Sequence, residues 1–506
     1  MFIRQKKNKS GTVSVQIISK NNGKYKVEAT IGSSGSAEGI EVLVQQAMYE
    51  ITRLQKQQGL FVSQVDAGIE GFLHGLSNNN IRVVGPELVF GKIYDVIGFN
   101  TIKEDIFRHL VIARLAFPLS KLKTIDYLYR FQGVELNINS IYRFMDKLAK
   151  GLKERVQQIA YQHTLKLLKD NISIVFYDMT TLYFEASDED DLRKTGFSKD
   201  GKPQNPQIYL GLLVTVGGYA IGYDMFEGNV FEAHTFIPFI GKMAQRFNLS
   251  KPVIVADAGL LSDDNLTALE QKQYEYIIGA RLKSEATGIK QQILSARLKE
   301  EQTAVIKKGH RKLIVSYTRK RAAKDAHNRK RGLQRLEKQI KRGKLTKAQI
   351  NNKGYNKYLK MTGEVQIQID YEKYAQDAQW DGLKGYITNS KLTPKQVIEN
   401  YSHLWQIEQA FRMSKTDLRI RPIYHRLADR IEAHICISFT AYAIYKELQR
   451  IIHLEKLPLS VQKAAEQTQN MYQLSVTLPE SKHNKNILLK MTEPQNLLMK
   501  LIAKYY

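Results

Sequence analysis

The chain is short of cysteine, of long apolar runs and of acids to balance its bases, and each shortage narrows what it can be. One cysteine in 506 residues, Cys436, excludes an internal disulfide and any zinc site built on cysteine, and fits a reducing cytoplasm. Cys436 lies in an apolar, helix-like run from Ala433 to Tyr445, where a packed thiol is expected rather than a reactive one. No apolar run approaches the roughly 18 residues that read as a membrane span, so no membrane partner is expected. The basic start, Met1-Phe-Ile-Arg-Gln-Lys-Lys, lacks the apolar stretch of a secretory signal. Internal repeats and Pro- or Ser-rich linkers are missing too, so domain borders are soft.

An apolar content of 43% is ample for a buried core, and the length suits about three domains of roughly 150 residues each. The formal charge is +26, and its distribution matters more than its size. Between Lys307 and Lys360 there are 20 Lys and Arg against two acids, Asp325 and Glu337, a local balance of +18. A block of this kind attracts a polyanion by counterion release and long-range steering. Without an amphipathic apolar face to insert into lipid, nucleic acid is the favoured partner. Lys320, Arg321, Arg329, Lys330 and Arg331 are its candidate DNA contacts.

Residues 1–35 alternate apolar and polar about Asn21-Asn-Gly23, which predicts a β-hairpin, and a helix pattern runs from Ile40 to Gln58, ended by Gly59. Residues 86–168 read as mostly helical. Their basic residues (Arg108, Arg114, Lys121, Lys123, Arg130, Arg143, Lys147) suit a DNA-end reader, and a plain helical packing module is equally compatible. The character then changes. Ile172-Ser-Ile-Val-Phe-Tyr177-Asp178 is a buried-strand run ending on a carboxylate, and Ile208 to Phe226 is two strands joined at Gly217-Gly218. A helix follows, then Pro252-Val-Ile-Val-Ala-Asp257, a second strand ending on a carboxylate. After another helix, Tyr274 to Leu282 is a fifth strand. Strand, hairpin, helix, strand, helix, strand is the order of a ribonuclease H-like mixed α/β sheet. The expected organisation is 1–85 hairpin and helix, 86–168 helical, 169–282 first core segment, 283–384 β-rich basic insertion, 385–455 second core segment, and 456–506 a helical tail suited to dimerisation.

The second core segment opens at Thr393-Pro394, a cap followed by a proline in the first helical turn. Beyond it, Tyr401, Leu404, Glu408, Arg412 and Lys415 fall on one stripe of a 3.6-residue period, one carboxylate followed by two cations. Asp178 or Asp257 alone reads as turn chemistry. With Glu408 they make three acids around one crevice of the sheet. Oxygen-only ligands point to a hard octahedral cation, Mg²⁺ or Mn²⁺. Two such ions about 3.5–4 Å apart would activate a nucleophile and stabilise the leaving oxygen of an in-line phosphoryl transfer. Asp188-Glu-Asp-Asp191 reads as a solvated loop, and His403, His425 and His434 lack a metal-ligand pattern.

These residues resemble the DDE transposases of bacterial insertion sequences. The likeness rests on Tyr177-Asp178-Met-Thr-Thr-Leu-Tyr-Phe-Glu, on Gly196-Phe-Ser-Lys-Asp-Gly-Lys202 running into Leu210-Gly-Leu-Leu-Val, on Glu227-Gly-Asn229, on Val255-Ala-Asp257-Ala-Gly, and on a Tyr-x2-Arg-x3-Glu-x6-Lys signature. It spans about residues 170–450. The resemblance implies a ribonuclease H-like core with a β-rich insertion, and Asp178, Asp257 and Glu408 as catalytic metal ligands for two Mg²⁺ or Mn²⁺. It implies Tyr401 and Lys415 as phosphate contacts, with Trp405 and Arg412 beside them. Trp380, in the insertion, is placed to receive a flipped base, or else is an ordinary core tryptophan.

The implied activity is cleavage of double-stranded DNA at transposon ends and strand transfer into a target, by a homodimer holding two ends in a bacterial, nucleoid-associated setting. A nuclease of the same fold that does not join, and a non-catalytic DNA-binding descendant, are the alternatives. One position departs from the signature: Leu404 stands where Arg is expected, which removes a bidentate phosphate clamp.

Overall fold

Eight strands form the central sheet, and their order in space explains how the chain folds. They are β1 (Ile174–Tyr183), β2 (Gln207–Thr215), β3 (Ala220–Glu227), β4 (Val253–Ala256), β5 (Tyr276–Ala280), β6 (Thr303–Lys308), β7 (Arg311–Tyr317) and β8 (Leu383–Thr388). The computed structural model describes residues 1–21, 23–56, 64–343, 345, 350–351, 354–362, 366–478, 481 and 483–506. Across the sheet the order is β6-β7-β8-β5-β4-β1-β2-β3. The β3-β2-β1-β4-β5 portion has β2 antiparallel to both neighbours and β4 parallel to β1 and β5, the ribonuclease H-like arrangement expected from the sequence. Gly217 and Gly218, at φ +90° and +76°, make the β2–β3 turn that two left-handed residues allow.

Both faces of the sheet are covered, which is why its strands read as nearly continuous apolar runs. Along β1, Val175, Tyr177 and Met179 face one core, packed by Phe236, Phe239 and Met243 of helix α1 (Glu232–Phe247) and by Leu266 and Leu269 of α2 (Asp263–Gln271). Phe176 and Leu182 face the opposite core. There the sheet meets α4 (Pro394–Ser402), α5 (Trp405–Thr416) and the largely buried α6 (Ala428–Leu454), with α3 (Arg319–Lys341) belonging to the insertion. Residues of the 86–168 region, among them Phe107, Leu110, Phe144 and Val156, join this same core, so that region is part of the catalytic unit. Cys436 is buried among them.

Several boundaries differ from expectation. Asp178 is internal to β1, because the strand runs on to Tyr183 against the whole of β2. Strands β6 and β7 of the insertion extend the core sheet beyond β8, which leads into the second core segment, and Leu359–Thr362 with Gln366–Ile369 makes a separate two-stranded ladder. The expected C-terminal helical tail is interrupted by strands Tyr472–Thr477 and Asn484–Leu488, and its last helix buries Leu498, Leu501 and Ile502.

Residues 82–473 and 488–506 form this unit; residues 1–81 with 474–487 form another. In the latter the expected hairpin (Val13–Asn21, Lys24–Ser34) gains a third strand, Phe2–Lys7. The helix Ala37–Lys56 lays Leu43, Val44, Ala47 and Ile51 over Val15 and Ile17. The expected turn at Asn22 and helix end at Gly59 lie outside the described residues. Among the described residues no helix is long and apolar enough to cross a membrane.

Candidate active site

Asp178 and Asp257 are brought together by strand register. Tyr177 of β1 lies opposite Ala256 of β4, so the next residue of each chain is an aspartate. Alternation sends both carboxylates to the face that Phe176 and Val255 share, where α4 and α5 pack. Thr393 and Gln396 form a capping box with Pro394 in the first turn, as expected for the start of α4. The helix does not continue through the stripe. It stops at Ser402, and a tight turn in which Leu404 N–H donates to the Tyr401 carbonyl (3.1 Å) separates it from α5.

The break sets the site. Tyr401, 5% exposed, donates its hydroxyl to Asp257 Oδ1 at 3.2 Å and packs edge-on to Tyr386. Lys384 leaves β8 on the same face as Tyr386 and holds its Nζ 4.4 Å over the Tyr401 ring. Gly279 makes this possible, because a Cβ there would sit 2.5 Å from the Tyr401 hydroxyl. Gly279→Ala is therefore expected to lower the catalytic rate about tenfold with little loss of helicity, measured by initial rate and circular dichroism. An unchanged rate would mean Tyr401 does not orient Asp257.

Asp178 accepts from the Met179 N–H at 2.8 Å and lies 3.8 Å from Lys199 Nζ, which also reaches Glu232 at 2.8 Å. Burial pushes the Asp178 carboxyl up to about 6; Glu232 and Asp257 add to this, while Lys199 and the Met179 N–H oppose it. Burial also pulls the Lys199 ammonium down, but Asp178 and Glu232 outweigh it and its pKa is raised. Tyr401 is raised by burial and by the Asp257 carboxylate, so its hydroxyl stays a donor. Burial lowers Lys384, with Asp257 and Glu408 acting against it. Glu408 is exposed in the first turn of α5, where a helix N-terminus favours a carboxylate.

Among the described residues no three His, Cys, Asp or Glu side chains lie close enough to hold one metal ion. The Asp178 carboxylate is turned to the Met179 N–H and Lys199 and that of Asp257 to Tyr401, while Glu408 is exposed on α5. The donor set nevertheless suits a hard cation: the ligands are oxygen only, and Asp178 has too little positive charge about it for its burial.

The other candidates are placed as follows. Tyr401 is buried on Asp257 and not open to a phosphate. Lys415 is paired with Asp200 at 3.2 Å and its side chain is 11% exposed. Arg412 is exposed and lines a cleft with Leu115, Thr416, Asp417 and Arg419. Leu404 is buried in the core. Trp405 is 53% exposed at the start of α5, whereas Trp380 is half-buried against Leu282, Ile306 and Leu313, the packing role.

On the insertion helix, Lys320, Arg321, Lys330 and Arg331 are exposed, while Arg329 pairs with Asp381 and stands over the Tyr374 ring. The expected basic face of residues 86–168 does not exist as one surface. Arg108 is paired with Glu87 and Asp95, Lys147 with Glu104, and Arg114 and Lys121 are buried. His434 bonds the Ile420 carbonyl through Nε2 (2.8 Å), and Asp190 is tied to Arg193. Sequence reasoning missed Lys199, Asp200, Lys384 and Glu232. The only signal was the run Gly196 to Lys202, whose alternating charges had no assigned role.

A three-layer sheet of this order, with two aspartates on adjacent strands and a glutamate on the covering helix, defines a ribonuclease H-like nucleic-acid enzyme. The chain belongs to the family described as the transposase DDE domain, whose family model matches residues 170–444. It is accordingly a DNA transposase of the DDE class, dependent on a divalent metal ion. Among solved structures it is similar to a piggyBac transposase synaptic complex with hairpin DNA (9% identity, TM-score 0.39, covering 76% of this chain and 78% of that one). It is also similar to a Mos1 transposase paired-end complex with the left transposon end (13%, TM-score 0.16, 31% and 53%) and to a Mos1 mariner paired-end complex with Mn (14%, TM-score 0.15, 36% and 56%). No curated protein matches the chain.

Proposed function

We propose that this transposase hydrolyses a phosphodiester at the ends of its own element to free a 3′-OH, and then uses that hydroxyl to attack target DNA. The observation that carries the reading is the register that sets Asp178 beside Asp257, under the helix bearing Glu408. These three would hold two Mg²⁺ or Mn²⁺ ions, which supply an activated nucleophile and charge stabilisation for an in-line displacement. Tyr401 orients Asp257, and Lys384 adds positive charge where the pentavalent phosphorus accumulates negative charge. Lys199 holds Asp178 by its charge and is itself anchored on Glu232 and the Met179 carbonyl (2.7 Å). Trp405 offers an exposed ring to an unstacked base. Two copies, each holding one end, would form the working dimer.

The test is cleavage and joining of a duplex carrying the DNA that flanks its reading frame, with Mg²⁺ present. Strand-transfer joints are expected from the parent, and neither cutting nor joining from Asp178→Asn, Asp257→Asn or Glu408→Gln. Fragments without joints would identify a nuclease, and three variants cutting like the parent would sink the site assignment. The insertion makes a separate prediction. Replacing Lys320, Arg321, Lys330 and Arg331 together by Ala should flatten log affinity against log salt by about 3 to 4 in slope, read by fluorescence anisotropy. An unchanged slope would remove α3 from the DNA path.

A further inference from the structure

Charge that the proposed chemistry does not use converges on Asp200, which lies against Thr181 of β1. Lys415 Nζ lies 3.2 and 3.4 Å from its two carboxylate oxygens, Arg421 Nη1 pairs with Oδ1, and the Thr181 hydroxyl donates to Oδ2 at 3.5 Å. The side chains of Lys415, Asp200 and Arg421 are 11%, 10% and 27% exposed. Neighbouring cations are committed elsewhere, Lys199 to Asp178 and Glu232, and Lys202 to Glu185. Two enclosed cations therefore share one carboxylate, and the group is left one anion short. A phosphodiester carries one negative charge and presents the paired oxygens that a guanidinium fork matches.

The backbone carrying Arg421 is held from several sides. Ile423 N–H donates to the Tyr183 carbonyl at 3.2 Å, and Phe184 and Ile423 form a parallel bridge. Arg114 reaches the Leu418 and Arg419 carbonyls at 3.5 and 3.4 Å, and His434 holds that of Ile420. The guanidinium stands 5.8 Å from the Tyr183 ring centre. Fixing the fork before DNA arrives lowers the entropy lost on binding. Thr181, which touches Asp200, faces the other side of β1 from Asp178; the group is tied to the crevice through Lys199, whose backbone N–H donates to the Thr181 hydroxyl at 3.2 Å and whose Nζ lies 3.8 Å from Asp178. A group beside the aspartate rather than on it suits a neighbouring backbone phosphate, not the reacting one.

We propose that Arg421 and Lys415 form a clamp for a DNA backbone phosphate beside the reacting bond, with Arg421 supplying the guanidinium that Leu404 lacks, and that Asp200 occupies the clamp until the phosphate displaces it. This rests on the DNA-transposase reading; a phosphate contact at Lys415 is already implied by the family resemblance, and Arg421 and Asp200 are what the geometry adds.

The experiment measures binding of the full chain to the flanking-DNA duplex by anisotropy across a salt series in EDTA. Arg421→Gln is expected to bind about tenfold more weakly at low salt, with the slope shallower by about 0.9 for one lost phosphate contact, and Arg421→Lys to keep the parent slope. Asp200→Asn is expected to bind several-fold more tightly, a gain that disappears in Asp200→Asn/Arg421→Gln. A folded Arg421→Gln with parental affinity and slope overturns the clamp. Should Arg421→Gln not fold, Asp200→Asn decides: tighter binding supports the displacement, and parental or weaker binding overturns it. A parent that does not bind the duplex overturns the DNA reading itself, which separates the two failures.

Discussion

Restoring the signature residue by Leu404→Arg is expected to destabilise the protein by about 2–4 kcal/mol and not to raise cleavage. Leu404 is 8% exposed and packs in the core that contains Tyr401, Ile407 and Tyr386. It also sits in the tight turn between α4 and α5, so its side chain points inward at the place where the two helices change direction. A guanidinium there either loses its hydration or pushes the turn outward. The second outcome would carry Tyr401 away from Asp257. The melting temperature should fall by a few degrees, while Leu404→Met, close in volume, should cost less than about 1.5 kcal/mol. A variant that melts like the parent and cuts faster would show that position 404 faces DNA after all.

The second large effect separates function from stability. Asp178→Asn is expected to reduce cleavage on the order of a thousandfold, yet to raise the melting temperature. The carboxyl is largely enclosed, its side chain 22% exposed, with Glu232 and Asp257 nearby and one ammonium at 3.8 Å. Its folded pKa of about 6 lies above the ordinary 3.8. The sign follows from linkage: below the unfolded value the group is protonated in both states and has no effect. As pH rises through the folded value, the folded state must carry a charge it disfavours. At pH 7 that penalty is about 1–2 kcal/mol after discounting partial exposure, and the neutral isostere removes it. Cation binding should weaken for the same reason as pH falls through about 6, because the protonated carboxyl cannot ligate. Parallel melts and Mg²⁺ titrations at pH 5.5 and 7.5 read both effects. A lower melting temperature for Asp178→Asn would mean the carboxylate is structural.

The sheet was legible because its strands are long apolar runs with turn residues between them, and Asp178 and Asp257 stood out as charges on such runs. Three features were not legible. A 3.6-residue count over Tyr401 to Lys415 assumes one helix, and periodicity cannot register the two-residue break that turns Tyr401 inward. Asp178 reads as a strand end because a carboxylate interrupts the run, although pairing with β2 carries the strand on to Tyr183. The pairing of Lys415 with Asp200 joins residues 215 apart, and local sequence contains nothing that predicts a contact at that range. The insertion misled for a related reason. Its strands β6 and β7 alternate like an independent module, and only the tertiary fold shows them continuing the core sheet beyond β8, a run the sequence reads as a return strand.

That continuation has a mechanical meaning. The basic helix α3 is fastened to the residues that lead into β8: Arg329 to Asp381, Asp325 to the Gly382 N–H at 3.2 Å, and Arg321 to the Leu383 carbonyl at 3.2 Å. The next residue is Lys384, which lies over Tyr401. A displacement of α3 is therefore carried by these bonds into the strand that bears Lys384, and so to the Tyr401 ring beside Asp257.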